Sequence, residues 1–274
     1  MTDQDSKVSD CAINGLVEAI SHHLVARRKI TPQVDHVLDE ISAATINKDF
    51  LEKYSVPSSR HQDMLEAAIS NIKVQSLKNI QNALILAMDK LSWRRDDDYY
   101  YAENEDLGDG YKNTNLHSLL IGPSNAKYYR PDFILGVFLL GPFTFYRDHF
   151  HRAPELYINL STRTGWRFSS GKWDDYPAGS IIFNDPNKIH ATRVYGDPFV
   201  SVFCWTRDIE SPCKIFKRGD WEIVERALQK EKSAVNANHS HPQPRKHPNN
   251  IIPVCPHGPC VGWICDDSCV CNGN

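Results

Sequence analysis

The chain has 274 residues, 41% of them hydrophobic and 24% charged, an ordinary globular composition that excludes a chain disordered throughout. Its net charge of −3 and pI near 6.4 argue against a nucleic-acid partner, because phosphate binding calls for a concentrated basic face. No apolar run reaches the ~20 residues of a membrane span and no signal peptide opens the sequence, so we expect a cytoplasmic protein without a membrane partner.

The N-terminal third of the chain shows the apolar spacing of helices. Between residues 12 and 93 three such stripes occur, and the longest begins after the cap residues Ser58 and Ser59 and continues to Leu91. We predict three helices that pack against a later sheet. A homodimer surface is the alternative use of the same apolar faces, and the sequence leaves it open.

An acidic, turn-rich segment of residues 94–115 follows the helices. Its composition predicts an exposed loop. The three consecutive tyrosines at 99–101 offer the alternative that the loop reaches a pocket. We therefore assign residues 1–115 to a helical N-terminal extension that ends in an acidic loop.

From Leu116 onward, short runs rich in β-branched and aromatic residues alternate with turn signals. Eight such runs at near-regular spacing predict a mainly β fold, an antiparallel barrel or sandwich. A helix with Glu and Lys pairs on its solvent-exposed face is expected directly after these runs. The predicted β domain with this terminal helix spans residues 116–232.

The remaining residues, 233–274, begin as a polar, proline-rich linker and end in a cysteine-rich tail. The tail cysteines are Cys255, Cys260, Cys265, Cys269 and Cys271. Thiolates of this kind bind structural zinc, so a second, zinc-binding site is one interpretation, although the spacing differs from that of paired zinc knuckles. A disordered or disulfide-bearing tail is the alternative.

A short stretch of the predicted β domain carries residues with metal-binding chemistry. His149 and His151 are two residues apart and therefore share one face of a strand. Glu155 follows after a short turn, which brings its carboxylate toward the two imidazoles. His190 ends a later segment of two strands joined by a turn, and it completes a predicted site of three imidazoles and one carboxylate. This donor set suits Zn, Fe, Mn, Co or Ni rather than calcium.

These residues resemble the two sequence motifs of the cupin superfamily. The first motif has His-x-His and a glutamate four residues on, and the second runs from Gly179 to His190. The turns depart from the family pattern. Thr162 replaces the glycine expected after the glutamate of the first motif, and Asn187 replaces the glycine of the turn in the second motif. Every ligand position is nevertheless filled. The resemblance implies a cupin-type antiparallel β-barrel, or jelly roll, with an N-terminal helical region.

A narrower resemblance points to one group of cupins. A Tyr-x-x-His-x-His-x-Ala-x-Glu-x-Tyr pattern followed by a Trp and a His is similar to that of the dimethylsulfoniopropionate (DMSP) lyases. The matching residues are Tyr146, His149, His151, Ala153, Glu155, Tyr157, Trp166 and His190. The match covers residues 116–207, and members of that group also carry a helical N-terminal extension.

The resemblance implies a metal-dependent carbon–sulfur lyase that converts a small-molecule substrate, DMSP, to dimethyl sulfide and acrylate by β-elimination. The metal would bind the substrate carboxylate, Tyr157 with a lowered pKa would take the α-proton, and Tyr146 would assist. The aromatic candidates for contact with the sulfonium are Trp166, Trp205, Tyr195 and Phe145. An Fe(II) cupin dioxygenase and a non-catalytic metal-binding cupin module are the alternatives.

Overall fold

The computed structural model describes residues 3–28, 31–48, 50, 58–96, 100–101, 104–169 and 171–239. The α-helices of these residues are α1 (Asp3–Val25), α2 (Gln33–Ser42), α3 (Ser59–Ser70), α4 (Lys78–Ala87), α5 (Asp109–Thr114) and α6 (Trp221–His239). The strands are β1 (Thr45–Ile46), β2 (Leu116–Gly122), β3 (Tyr128–Tyr129), β4 (Ile134–Leu140), β5 (Phe145–Phe150), β6 (Glu155–Asn159), β7 (Thr164–Phe168), β8 (Trp173–Tyr176), β9 (Ile181–Asn184), β10 (His190–Val194), β11 (Phe199–Trp205) and β12 (Lys214–Ile215). Short 3₁₀ helices, Gln75–Leu77 and Met88–Lys90, flank α4. None of the helices within these ranges has both the length and the apolar character needed to cross a bilayer.

The strands form two sheets. The larger has the order β1-β3-β2-β4-β11-β6-β9, and the smaller has the order β12-β5-β10-β7-β8. Strands β2 and β3 pair in parallel, and the other neighbours pair antiparallel. All eight strands expected from the sequence are present, so the prediction of a mainly β, antiparallel domain is confirmed. Strands β1, β3, β8 and β12 are additional.

The larger sheet is buried on both faces. In β6, Leu156 and Ile158 belong to an apolar cluster shared with the N-terminal helices, while Tyr157 belongs to the cluster between the two sheets. This alternation follows from the two-residue period of a strand. Buried residues of α1, such as Leu16 and Ile20, join the helix-side cluster. The predicted packing of the helices on the sheet is confirmed, and the homodimer surface stays a prediction.

The prediction of one long third helix is wrong. Helix α3 ends at Ser70, where the Asn71 N–H bonds back to carbonyls of the last turn, and α4 begins only at Lys78. Leu65 of α3 and Leu84 of α4 contribute to the same apolar cluster. The apolar pattern therefore continues across the break, and the residues between the helices include no Gly or Pro to mark it.

Helix α6 covers the outer face of the smaller sheet. Its Trp221, Val224 and Leu228 form a cluster with Phe145 of β5 and Ala191 of β10. The expected terminal helix is thus present. It continues to His239, which lies within the segment predicted to be a polar linker.

Candidate metal centre and active site

Strand β5 brings Tyr146 and His149 to the inner side of the smaller sheet, although they are three residues apart. Its partner β10 pairs His190 with His149 but Thr192 with Tyr146, so β5 contains one extra residue between these pairs. Such a β-bulge bends the strand and re-aims its side chains. The rings of Tyr146 and His149 consequently stack on the same side, with centroids 4.1 Å apart.

Beside His149 lie His151, which directly follows β5, and His190, which begins β10. The ligand nitrogens of the three histidines lie within 4.8 Å of one another, and all three residues are buried. The turn before His190 is tied to His151, since the Asn187 N–H donates to the His151 carbonyl at 2.8 Å. Asn187 has a φ of +60°, a conformation that asparagine tolerates better than most residues. The substitution for glycine at this point therefore leaves the turn intact.

Each of the three imidazoles donates its Nδ1–H to a backbone carbonyl. The pairs are His149 with Arg147 at 2.8 Å, His151 with Ala153 at 2.8 Å and His190 with Lys188 at 2.9 Å. Because a carbonyl only accepts hydrogen bonds, these contacts leave the Nε2 lone pairs free. The Nε2 atoms of His151 and His190 are buried and have no hydrogen-bond partner among the described residues. Unpaired buried nitrogens are rare and suit a bound cation.

Glu155 completes the cluster from the larger sheet. Its Oε2 lies 3.3 Å from the His151 Nε2 and 3.6 Å from the His190 Nε2. Glu155 pairs with Asn184 of β9 on one side and with Trp205 of β11 on the other. Each of these neighbours donates to one carboxylate oxygen, Asn184 Nδ2 to Oε2 at 2.7 Å and Trp205 Nε1 to Oε1 at 2.8 Å. The strand register therefore fixes the orientation of the carboxylate.

The electrostatics favour neutral imidazoles at His149 and His190 and an ionised carboxylate at Glu155. Burial, together with neighbouring His151, lowers the pKa of His149 to about 3. Burial and the other two histidines lower the pKa of His190 well below its ordinary value. Burial acts in the opposite direction on Glu155, but hydrogen bonds and charges from its neighbours outweigh it and lower its pKa to about 2. Neutral imidazoles and an ionised carboxylate are the forms that bind a metal ion.

The four sequence-predicted ligands thus converge, and their chemistry fits a divalent transition-metal ion. Three nitrogens and one oxygen, each oriented by a further hydrogen bond, are a donor set that Zn, Fe, Mn, Co and Ni accept. The identity of the metal stays a prediction.

Tyr146 and Tyr157 line a cavity beside this cluster. The other lining residues are Tyr100, Tyr111, His117, Phe138, Glu155, Phe203, Trp205 and Cys213. The Tyr146 hydroxyl lies 2.5 Å from that of Tyr101. Burial and the Glu155 carboxylate raise the pKa of Tyr157 well above its ordinary value. The protein groups alone therefore raise this pKa, and the lowering expected from an adjacent metal ion stays a prediction.

The predicted aromatic residues divide between the space enclosed by the two sheets and the outer face of the smaller sheet. Trp205 lines the cavity, and Trp166 packs 5.0 Å from the Tyr157 ring, with its N–H bonded to Thr164. Tyr195 instead joins the outer cluster, where its hydroxyl donates to Asp175 at 2.6 Å. Phe145 lies in the same outer cluster. Neither of these two reaches the site, because each is adjacent in sequence to an inward-facing residue.

Sequence reasoning missed several residues that reach the site. The 94–115 segment is not simply an exposed loop: Tyr101 is buried against Tyr146, and Tyr100 lines the cavity, as the alternative interpretation required. Tyr99 lies outside the described residues. His117 is also buried in the cavity wall. The three consecutive tyrosines indicate that the loop can reach a pocket, whereas no sequence pattern indicates that His117 lies at the cavity.

The predicted cysteine site lies outside the described residues. All its candidates, Cys255, Cys260, Cys265, Cys269 and Cys271, belong to residues 240–274, which the structure does not describe. The second zinc site stays a prediction.

Comparison with known proteins places the chain in a family. The profile of the dimethylsulfoniopropionate lyase family matches residues 21–201, more than half of the chain. The chain belongs to this family. The resemblance seen in the sequence is therefore confirmed, and with it the assignment of the chain as a lyase.

Two solved structures of DMSP lyases resemble the fold. A structure from work on RdDddP and RnDddQII has a TM-score of 0.58 and 20% identity, over 76% of this chain and 100% of that chain. DddQ from Ruegeria pomeroyi DSS-3 has a TM-score of 0.59 and 19% identity, over 75% of this chain and 96% of that chain. At such identities the likeness concerns the fold, and it confirms the cupin-type β architecture. No curated protein matches the chain.

Proposed function

We propose that this DMSP lyase family member is metal-dependent and cleaves DMSP by β-elimination, with Tyr157 as the base. The observation that carries the proposal is the convergence of four oriented donors, His149, His151, Glu155 and His190, on one side of a cavity that Tyr157 lines.

His149, His151, Glu155 and His190 would hold a divalent cation, which would supply positive charge to neutralise the substrate carboxylate and acidify the α-proton. Burial and the Glu155 carboxylate raise the pKa of Tyr157, and the positive charge of a bound cation would oppose both effects.

Tyr157 takes the α-proton in the proposed reaction. The electron pair of the broken C–H bond becomes the Cα=Cβ double bond, and the Cβ–S bond breaks with its pair going to sulfur. Dimethyl sulfide and acrylate leave, and the Tyr157 oxygen holds the proton. Tyr146, whose hydroxyl is bonded to Tyr101, helps to position the substrate from the opposite wall.

Aromatic rings provide the contact for the sulfonium. Trp205, Phe203 and Tyr100 line the cavity with their π systems, and a cation over such a ring gains about 0.5–2 kcal/mol. Trp166 lies behind Tyr157 and supports its ring.

A headspace assay for dimethyl sulfide tests the function directly. We expect the full chain to release dimethyl sulfide from DMSP in the absence of oxygen. This release should stop when a chelator removes the metal. A dioxygenase would instead consume oxygen. No release from metal-loaded protein would reject the lyase proposal and favour a non-catalytic cupin module.

The base is tested with Tyr157→Phe. Positioned bases contribute about 10²–10⁴ in rate, so release should fall at least ~100-fold while the metal content is retained. Tyr195→Phe is the matched control, since this tyrosine lies on the outer face of the sheet and its loss should leave release unchanged. Unchanged turnover in Tyr157→Phe would remove the proposed base.

A further inference from the structure

The bulge in β5 is the starting point for an inference about a residue outside the cavity. Between Tyr146 and His149 lie Arg147 and Asp148, and both point to the outer face. Arg147 Nη2 binds Glu225 of α6 at 2.7 Å, and Asp148 accepts from Trp221 Nε1 of the same helix at 2.8 Å. Two successive outward residues are what allow the residues on either side to face inward together.

Asp148 is completely buried and fully hydrogen-bonded. Its Oδ1 accepts from Arg167 Nε at 2.9 Å and from Arg218 Nε at 2.8 Å. Its Oδ2 accepts from Trp221 and from a second guanidinium nitrogen of Arg167. The donors come from β7, from the segment before α6 and from α6 itself. One carboxylate in the bulge therefore accepts hydrogen bonds from three other parts of the chain.

The backbone of the bulge is in direct contact with the metal-binding cluster. The Arg147 carbonyl accepts the Nδ1–H of His149 at 2.8 Å and so sets the orientation of that imidazole. The Asp148 carbonyl accepts from the Phe216 N–H at 2.8 Å, next to the β12 pairing that includes His149. A shift of the bulge would therefore move the His149 ring and, through stacking, the Tyr146 ring.

We propose that Asp148 is a positioning residue for the metal centre: its contacts on the outer face hold the β5 bulge that orients His149 and Tyr146 on the inner face. This inference rests on the proposed metal site. It assigns to α6 and the segment before it, which lie outside the cavity, a part in the geometry of the ligands.

The test is cobalt binding to the chelator-treated full chain, followed by the ligand-field absorption of Co²⁺. Asp148→Asn keeps the shape of the side chain but removes the charge and one acceptor. Residues that orient metal ligands typically contribute 10–100-fold to affinity, so we expect a loss of that size and an altered Co²⁺ spectrum. Asp175→Asn is the matched control, because it makes the same change on the same outer face, at a carboxylate that binds Tyr195 rather than the bulge.

The outcomes separate a positioning role from a merely structural one. If Asp148→Asn folds and binds Co²⁺ with wild-type affinity and spectrum, the inference is overturned even if the variant melts at a lower temperature. If Asp148→Asn does not fold, Trp221→Phe decides: it keeps an aromatic ring, loses only the N–H donor, and should weaken Co²⁺ binding severalfold, whereas unchanged binding counts against the proposal. Wild-type protein that binds no Co²⁺ would instead overturn the metal site of the proposed function.

Discussion

The two faces of the smaller sheet satisfy buried polar atoms in opposite ways. On the inner face, the Nε2 atoms of His151 and His190 are buried without a hydrogen-bond partner among the described residues. On the outer face, Asp148 is equally buried, but both its oxygens accept hydrogen bonds, from Arg167 and Trp221 among others. Protein groups complete the outer cluster, whereas the inner one presents oriented donors that suit an added cation.

The aromatic rings on the outer face of the smaller sheet differ in the same sense from the Trp205 ring in the cavity. On the outer face, the guanidinium of Arg193 lies 4.5 Å from the Trp173 ring and that of Arg163 lies 4.3 Å from the Tyr195 ring. Among the described residues, no such protein cation lies over Trp205 on the inner side. Protein cations therefore lie over rings of the outer face, whereas the described residues place none over the Trp205 ring of the cavity.

The largest effect should come from removing an inner donor. Loss of a partner that only orients a ligand lowers metal affinity about 10–100-fold. The metal affinity of His151→Ala, which loses a ligand itself, should therefore fall by more than ~100-fold, and its dimethyl sulfide release should fall to background. Elemental analysis and the headspace assay measure both quantities. His61→Ala removes an imidazole that is also buried but lies on α3, and it should keep its metal. Stoichiometric metal in His151→Ala would refute the ligand assignment.

Much of this site could be predicted because its signals are local in sequence. His149 and His151 share a face through the period of a strand, and Glu155 follows after one turn. The same two-residue period does not predict the orientation of Tyr146, because this residue is three residues from His149 and would face the other way in a regular strand. Only the bulge, fixed by contacts with distant Arg167 and Trp221, brings both rings together.

Other features depended on tertiary contacts that the sequence does not display. The break between α3 and α4 was missed because the apolar pattern runs through it without Gly or Pro. Strand β8 was missed because its central residues, Asp174 and Asp175, are exposed acids that strands usually lack. The composition around Tyr101 predicts an exposed loop, whereas its burial depends on the packing of that loop against Tyr146.

A smaller effect should follow from removing one hydrogen bond to an inner ligand. Trp205→Phe keeps a ring beside His151 and loses the N–H that holds Glu155 Oε1. Metal affinity should fall about 10–100-fold, measured by titration of the chelated protein. Trp166→Phe removes an equally buried indole N–H, which binds Thr164 instead, and its affinity should stay near that of the wild type. Equal losses in both variants would mean that the indole acts through packing alone.

The smallest effect should come from the outer face away from the bulge. Asp175 binds Arg163 and accepts from the Tyr195 hydroxyl, and the Arg163 side chain is 57% exposed. Exposed ion pairs contribute about 0–1 kcal/mol, so Asp175→Asn should lower the free energy of unfolding by no more than that, with the difference shrinking at high salt. Denaturant unfolding at two salt concentrations measures this, and dimethyl sulfide release should match the wild type. A large drop in release from this variant would show that the two faces are coupled along the whole sheet, and the contrast between them would then no longer locate the chemistry on the inner side.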